Sequence, residues 1–241
     1  MAPALSFLHR MMLCVFFLAT AMASYNISDY GAKPDGRTDS AKPFLNAWAA
    51  ACNSTEPAAI YVPAGHFLIS QATFKGPCKN NATMIFVDGT LIAPSAYGAA
   101  TNWLLFEYVQ GLSIFGGTID GQGQAFWAFR KAGRRCPQGA MQQHPETGRD
   151  HHRPGHSPNT DGIHIQKSSN VAVIDTGIET GDDCIPMGEG STNDWIEKID
   201  CGPGHGISIG SLGGTTSEAG AQNITVTSVA FSGTENELRI N

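Results

Sequence analysis

Four residues in the C-terminal half carry side chains suited to acid–base chemistry: Asp161, Asp182, Asp183 and His205. They sit in three Gly-flanked clusters, Ser157-Pro158-Asn159-Thr160-Asp161-Gly162, Gly181-Asp182-Asp183-Cys184 and Gly202-Pro203-Gly204-His205-Gly206. Asp182 follows Asp161 by 21 residues, and His205 follows Asp183 by 22. Each cluster is trailed by a short apolar run. A repeat near this length suits one turn of a parallel β-solenoid, in which residues one period apart stack on strands about 4.8 Å from each other. Stacked in this way, three carboxylates and an imidazole share one face. Like charges repel, so at least one carboxyl is expected to keep its proton near working pH. A protonated carboxyl beside ionised ones can hydrolyse a glycoside: one group protonates the leaving oxygen while another activates water. Two other readings stay open at this point. Single Asp residues are common in turns, and clustered carboxylates also bind calcium. The histidine favours acid–base work over calcium.

The elements that must position these groups are short. Apolar or β-branched runs recur at 59–62, 67–69, 84–87, 112–115, 162–165, 171–174, 207–209 and 224–226, between Gly, Asn and Pro. Such a texture fits a sandwich, a barrel or a solenoid, and the spacing of the polar clusters selects the solenoid. A solenoid has open ends, so its first coil needs a cap. One helix is expected before residue 57. Ser40 stands where its side chain can cap that helix, Pro43 falls in the first turn, and Phe44, Leu45, Trp48, Ala49 and Cys52 form an apolar face. Residues 25–30 read as a short strand, and Lys33-Pro34-Asp35-Gly36 as a turn.

Composition sets outer bounds. The chain has 241 residues, of which 15% are charged and 28 are Gly, and its net charge is −6. Few charges and many glycines argue for a β-rich, turn-rich domain over a helical bundle. The acidic balance lacks the basic footprint of a nucleic-acid binder, and a polyanionic substrate has to be held by local cations. His9 and Arg10 precede an apolar run to Ala19, and Ala21-Met22-Ala23 offers a small-residue cleavage pattern. Residues 1–23 are therefore expected to be a secretory signal peptide and 24–241 one domain, with no membrane attachment after cleavage. The run is short for a membrane anchor. Beyond the signal, Cys52 and Cys78 are close enough in sequence to pair, as are Cys184 and Cys201, which leaves Cys136 over. Sequons at Asn26, Asn53, Asn81 and Asn223 fit a glycosylated exported protein.

With Asn159-Thr160-Asp161, Gly181-Asp182-Asp183-Cys184 and Gly204 to Ser211 in this order, the chain resembles glycoside hydrolase family 28, the polygalacturonases. The stretch from Asp29 to Asp39 is similar to the opening of plant members, including pollen exopolygalacturonases, and Phe115 to Gly123 matches too. The resemblance implies an all-β, right-handed parallel β-helix that cleaves α-1,4-linked galacturonan, the backbone of pectin, with inversion. It implies Asp182 as general acid, Asp161 and Asp183 as the groups that hold and deprotonate water, and His205 as the group that tunes the cluster. Asn159, Gly206 and Arg239 are the expected substrate contacts. No metal or organic cofactor is implied, and a monomer is expected.

Three stretches depart from the family pattern. Arg239-Ile240-Asn241 stands where the family has R-I-K, and the chain is expected to lack C-terminal rungs. Between Gly139 and His156 the polar, His-rich and Pro-containing sequence reads as loop, and suits a gene-model artefact better than a metal site. Pro186 removes a hydrogen-bond donor from a central strand and is expected to cost stability. The expectation is thus a polygalacturonase of low activity. The alternative is an inactive relative that acts at most as a pectin-binding wall protein.

Overall fold

The computed structural model describes residues 22–95, 102–124, 127 and 161–241. The chain winds through successive coils. The first holds β1 (Ala23–Asn26), a 3₁₀ turn (Ile27–Tyr30), β2 (Asp35–Asp39) and α1 (Ala41–Asn53). The second holds β3 (Ala58–Val62), β4 (His66–Leu68) and β5 (Ala72–Lys75), and the third β6 (Thr83–Val87), β7 (Thr90–Ile92) and β8 (Leu104–Glu107). The fourth holds β9 (Leu112–Phe115), β10 (Thr118–Asp120) and β11 (Ile163–Gln166). In the fifth and sixth, one long strand replaces two: β12 (Ala172–Glu179) leads to β13 (Asp183–Met187), and β14 (Trp195–Cys201) to β15 (Gly206–Ile209). The last described coil holds β16 (Thr225–Thr227), β17 (Ala230–Phe231) and β18 (Leu238–Ile240).

All recorded pairings are parallel and run between coils, giving a right-handed parallel β-helix. One sheet runs β5-β8-β11-β13-β15-β18, and a second gathers the remaining twelve strands. Register stacks like residues along the axis. Tyr25, Ile60, Ile85, Ile114, Val173, Ile196 and Val226 form one inward ladder. Phe74, Phe106, Ile165, Met187, Ile209 and Ile240 form another. Each coil stacks its apolar residues on those of the adjacent coils, so the core is a column. Turns between the sheets place Asn170, Asn193 and Asn223 at φ of 56°, 58° and 55°, the left-handed region that Asn tolerates. The Asn223 side-chain amide donates to Asn193 Oδ1 at 2.6 Å.

α1 covers the first coil, as expected of a cap, but its buried face is Phe44, Ala47, Trp48 and Ala51, while Ala49 is exposed. The buried face is turned by part of a turn from the expected one, with Leu45 and Cys52 packed at its margin. Phe44 and Trp48 meet Phe74 edge-on at 4.8 and 5.5 Å, and Phe74 stacks on Phe106 at 4.6 Å. Ser40 occupies the N-cap position without capping the helix through its side chain. Its hydroxyl donates to Thr38 O and accepts from Lys33 N, and Asp39 Oδ1 takes the Ala41 N–H instead. The strand expected at 25–30 ends at Asn26, whose side chain accepts from Ser28 N and starts the 3₁₀ turn. Cys52–Cys78 and Cys184–Cys201 are disulfides. Cys136, Asn159 and the His-rich stretch lie outside the described residues. Pro186 lies in β13 just past a register irregularity between Asp183 and Ile185. Its neighbour Met187 provides the single recorded register pair between β13 and β11. Proline is tolerated in a sheet beside such bulges.

Candidate active site

The acidic residues gather where the second chain segment of each coil enters the six-stranded sheet. Asp161 lies two residues before β11, Asp183 opens β13, and His205 directly precedes β15. Gly162 explains how closely the coils approach here: a Cβ on it would lie 2.5 Å from Cys184 O, and its N–H donates to Asp183 O at 2.9 Å. The irregularity in β13 sets Cys184 and Ile185 side by side in the interior, both fully buried. Asp183 is thereby free to face the outward residues of the next coils. A bulge that re-aims one side chain is a recurrent device beside functional sites.

Each carboxylate has a different partner. Asp161, 6% exposed, sets its Oδ2 3.0 Å from Nδ1 of His164. Burial, reinforced by the charges of Asp182 and Asp183, pushes the Asp161 carboxyl up to about 6, against the pull of His164 in the other direction. Asp182 Oδ1 lies 2.7 Å from His205 Nδ1, and its carbonyl accepts the His205 N–H at 2.6 Å. Asp183 Oδ2 accepts from the Ser208 hydroxyl at 2.6 Å, and both its oxygens accept from Arg239 Nη2 at 3.1 and 3.0 Å. Burial works to lower the His205 pKa, but Asp182, Asp183 and Glu235 outweigh it and the net direction is upward. The Trp127 ring meets His205 edge-on at 5.3 Å. One rung thus separates an Asp161–His164 pair from an Asp182–His205 pair.

Asp182, Asp183 and His205 offer ligand atoms within 4.8 Å of one another. Imidazole, hydroxyl and guanidinium already occupy the facing carboxylate oxygens, which suits proton transfer better than a hard cation that needs six to eight oxygen ligands.

Residues 52–145 and 150–241 match the family model described as Glycosyl hydrolases family 28. The chain belongs to glycosyl hydrolase family 28. It is 48% identical to a polygalacturonase of Prunus persica over 94% of this chain and 67% of that one. It is 36% identical to an exopolygalacturonase of Platanus acerifolia over 90% and 66% of the two chains. It is also 36% identical to an exopolygalacturonase of Arabidopsis thaliana over 90% and 59%. The chain thus spans about two thirds or less of these relatives' lengths. Among solved structures, a protein of Parabacteroides merdae described as a glycosyl hydrolase superposes with a TM-score of 0.60 at 14% identity, over 90% of this chain and 89% of that one. The surface adhesin PfbA of Streptococcus pneumoniae does so with a TM-score of 0.56 at 15% identity, over 91% and 56%. At such identities these two report the solenoid fold alone.

In this family 28 chain the fold brings Asp161, Asp182, Asp183, His205 and Arg239 into one cluster. Arg239 is engaged by Asp183, and its Nε is buried with no hydrogen-bond partner among the described residues. Gly206 has a structural reason to be glycine. Its φ is 107°, and a Cβ would lie 2.4 Å from Glu237 O. The sequence reading did not single out His164, Ser208, Trp127 or Glu235. Strand alternation in Ile163-His164-Ile165 and Ile207-Ser208-Ile209 marks the first two as outward-facing. Nothing local marks Trp127 or Glu235, which reach His205 from other coils.

Proposed function

We propose that this family 28 chain is a polygalacturonase that hydrolyses the α-1,4 bonds of pectic galacturonan with inversion. The observation that carries the reading is the unequal treatment of three neighbouring carboxylates: Asp161 buried on His164, Asp182 on His205, Asp183 on Ser208 and Arg239. Two carboxyls with separate roles are what glycoside hydrolysis requires. Asp182, sharing a proton with His205, donates it to the leaving glycosidic oxygen. Asp161 and Asp183 hold the attacking water and take its proton. Asp161 can do so once it has lost its own, so the rate should climb with pH through about 6. Arg239 and Asn159 are the proposed contacts to the substrate's carboxylate and hydroxyls. The pectin-active names of the relatives support this substrate class.

We further propose that residues 1–23 direct export and that the protein works outside the cell, as a monomer. The export pattern at 1–23 and the two disulfides fit an oxidising compartment. Asn53, Asn81 and Asn223 are exposed sequon positions, although the Asn223 amide donates to Asn193 Oδ1. Among the described residues no helix is long and apolar enough to cross a membrane. The test is release of reducing ends from polygalacturonic acid. Asp182→Asn should lower kcat by about 10²- to 10⁴-fold with KM little changed. Binding of the polymer without release, by the unaltered chain, would replace hydrolysis with the wall-binding reading.

A further inference from the structure

His205 faces a carboxylate at each ring nitrogen. Nδ1 lies 2.7 Å from Asp182 Oδ1, and Nε2 lies 3.2 Å from Glu235 Oε2. Glu235 comes from the turn between β17 and β18, one coil beyond the histidine. Main-chain bonds fasten that turn in place: Glu235 N donates to Gly204 O at 3.0 Å, and Asn236 N to His205 O at 3.1 Å. The contact therefore follows from coil stacking as well as from one rotamer. The ring is largely enclosed, with 17% of its side chain exposed, whereas the Glu235 side chain is 41% exposed. Trp127 packs edge-on against the ring.

A carboxylate accepts protons and does not donate them, so an imidazole between two carboxylates is favoured as the cation with both nitrogens protonated. We propose that Glu235 is a positioning residue of this site: its carboxylate anchors Nε2 of His205, which fixes Nδ1–H on Asp182 and keeps the ring charged. The other charged groups around the ring are Asp182 and Asp183, and the cation Arg239 is engaged by Asp183. The upward direction of the His205 pKa, with Glu235 among its causes, agrees with this. The proton shared by Asp182 and His205 is then retained to higher pH, which keeps the general acid supplied. That consequence rests on the hydrolase reading, whereas the hold of Glu235 on His205 does not.

The experiment compares the full chain with its Glu235→Gln and Glu237→Gln variants, the latter an exposed acid two residues along. NMR titration of the His205 ring should show its pKa lowered by about half a unit to one unit in Glu235→Gln, a value reduced for the partial exposure of the pair. Glu237→Gln should leave it in place. Glu235→Asp, which keeps the charge, should recover part of the shift and serves also if Glu235→Gln folds poorly. In hydrolysis, the alkaline limb of kcat/KM should move down by the same amount with KM unchanged. Identical His205 titrations in the unaltered chain and Glu235→Gln overturn the inference whatever the activity. A chain whose His205 responds as expected but which releases no reducing ends supports the role of Glu235 and removes the hydrolase reading instead.

Discussion

Asp161 and His164 show how one pair can set a pH profile. Burial raises the Asp161 carboxyl and the imidazole pulls it back, so the pair decides the pH at which this carboxylate becomes available as a base. Replacing His164 by Ala removes the opposing pull. The acid limb of kcat/KM should then move up by about one unit, an approximately tenfold loss of rate on the acid side. A pH–rate series on polygalacturonic acid checks this, and an acid limb that stays put would argue against Asp161 as a base. Two histidines, His164 and His205, thus act on two different Asp residues one rung apart, with opposite parts of the pH profile in their charge.

At the scale of the strand, β14 begins next to an unusual core residue. Asp194 is 2% exposed and accepts the Val171 N–H on Oδ1 at 3.1 Å, while its Oδ2 is buried with no partner among the described residues. Its carbonyl accepts from Thr225 N, so its side chain occupies a stacking position between Val171 and Ile224 in adjacent coils. Burial pushes the carboxyl up to about 7, the Val171 bond opposing. The folded state therefore holds this proton more tightly than the unfolded chain does. The stability it contributes is fully present below about pH 4 and is lost as pH rises through about 7. Three pKa units correspond to about 4 kcal/mol at most. Asp194→Asn keeps the acceptor and cannot ionise, so its midpoint in urea should decline less than the unaltered chain's between pH 5 and 8. Equal declines would show that Asp194 does not titrate in this window. Asp161 contributes in the same sense, its share being lost as pH rises through about 6.

The described residues form a column of coils, each paired in register with the next, and a few side chains reach one coil further, as Arg239 does to Asp183. α1 closes one end of the column, and Phe44, 1% exposed, packs there on Phe74. Phe44→Ala should cost about 3–5 kcal/mol through the cavity it leaves. The site lies several coils along the axis, so kcat and the His205 titration of the folded protein should stay as they are. Denaturation followed together with activity under native conditions tests both halves, and a large fall in native kcat would show longer-range coupling than coil stacking permits. The disulfide Cys184–Cys201 ties the two sheets directly beneath Asp183, where Cys201 stands in the ladder with Ile178 and Phe231.

By itself the sequence determined the solenoid, the capping helix and the cluster of Asp161, Asp182, Asp183 and His205, and the structure joins both cysteine pairs that proximity in sequence suggested. Each of these is written as a local pattern or a repeat length, which one-dimensional periodicity can carry. Its misjudgements were local as well: the hydroxyl of Ser40 turns back to its own loop, and α1 rotates to bring Ala47 inward. Tertiary structure alone decided which carboxyl keeps a proton, because burial depends on how coils close over Asp161 and Asp194. It also placed Arg239 on Asp183, and Trp127 and Glu235 on His205. Such contacts join side chains from different coils, and their geometry follows from stacking register and the bulge at Cys184, which no spacing in the chain records.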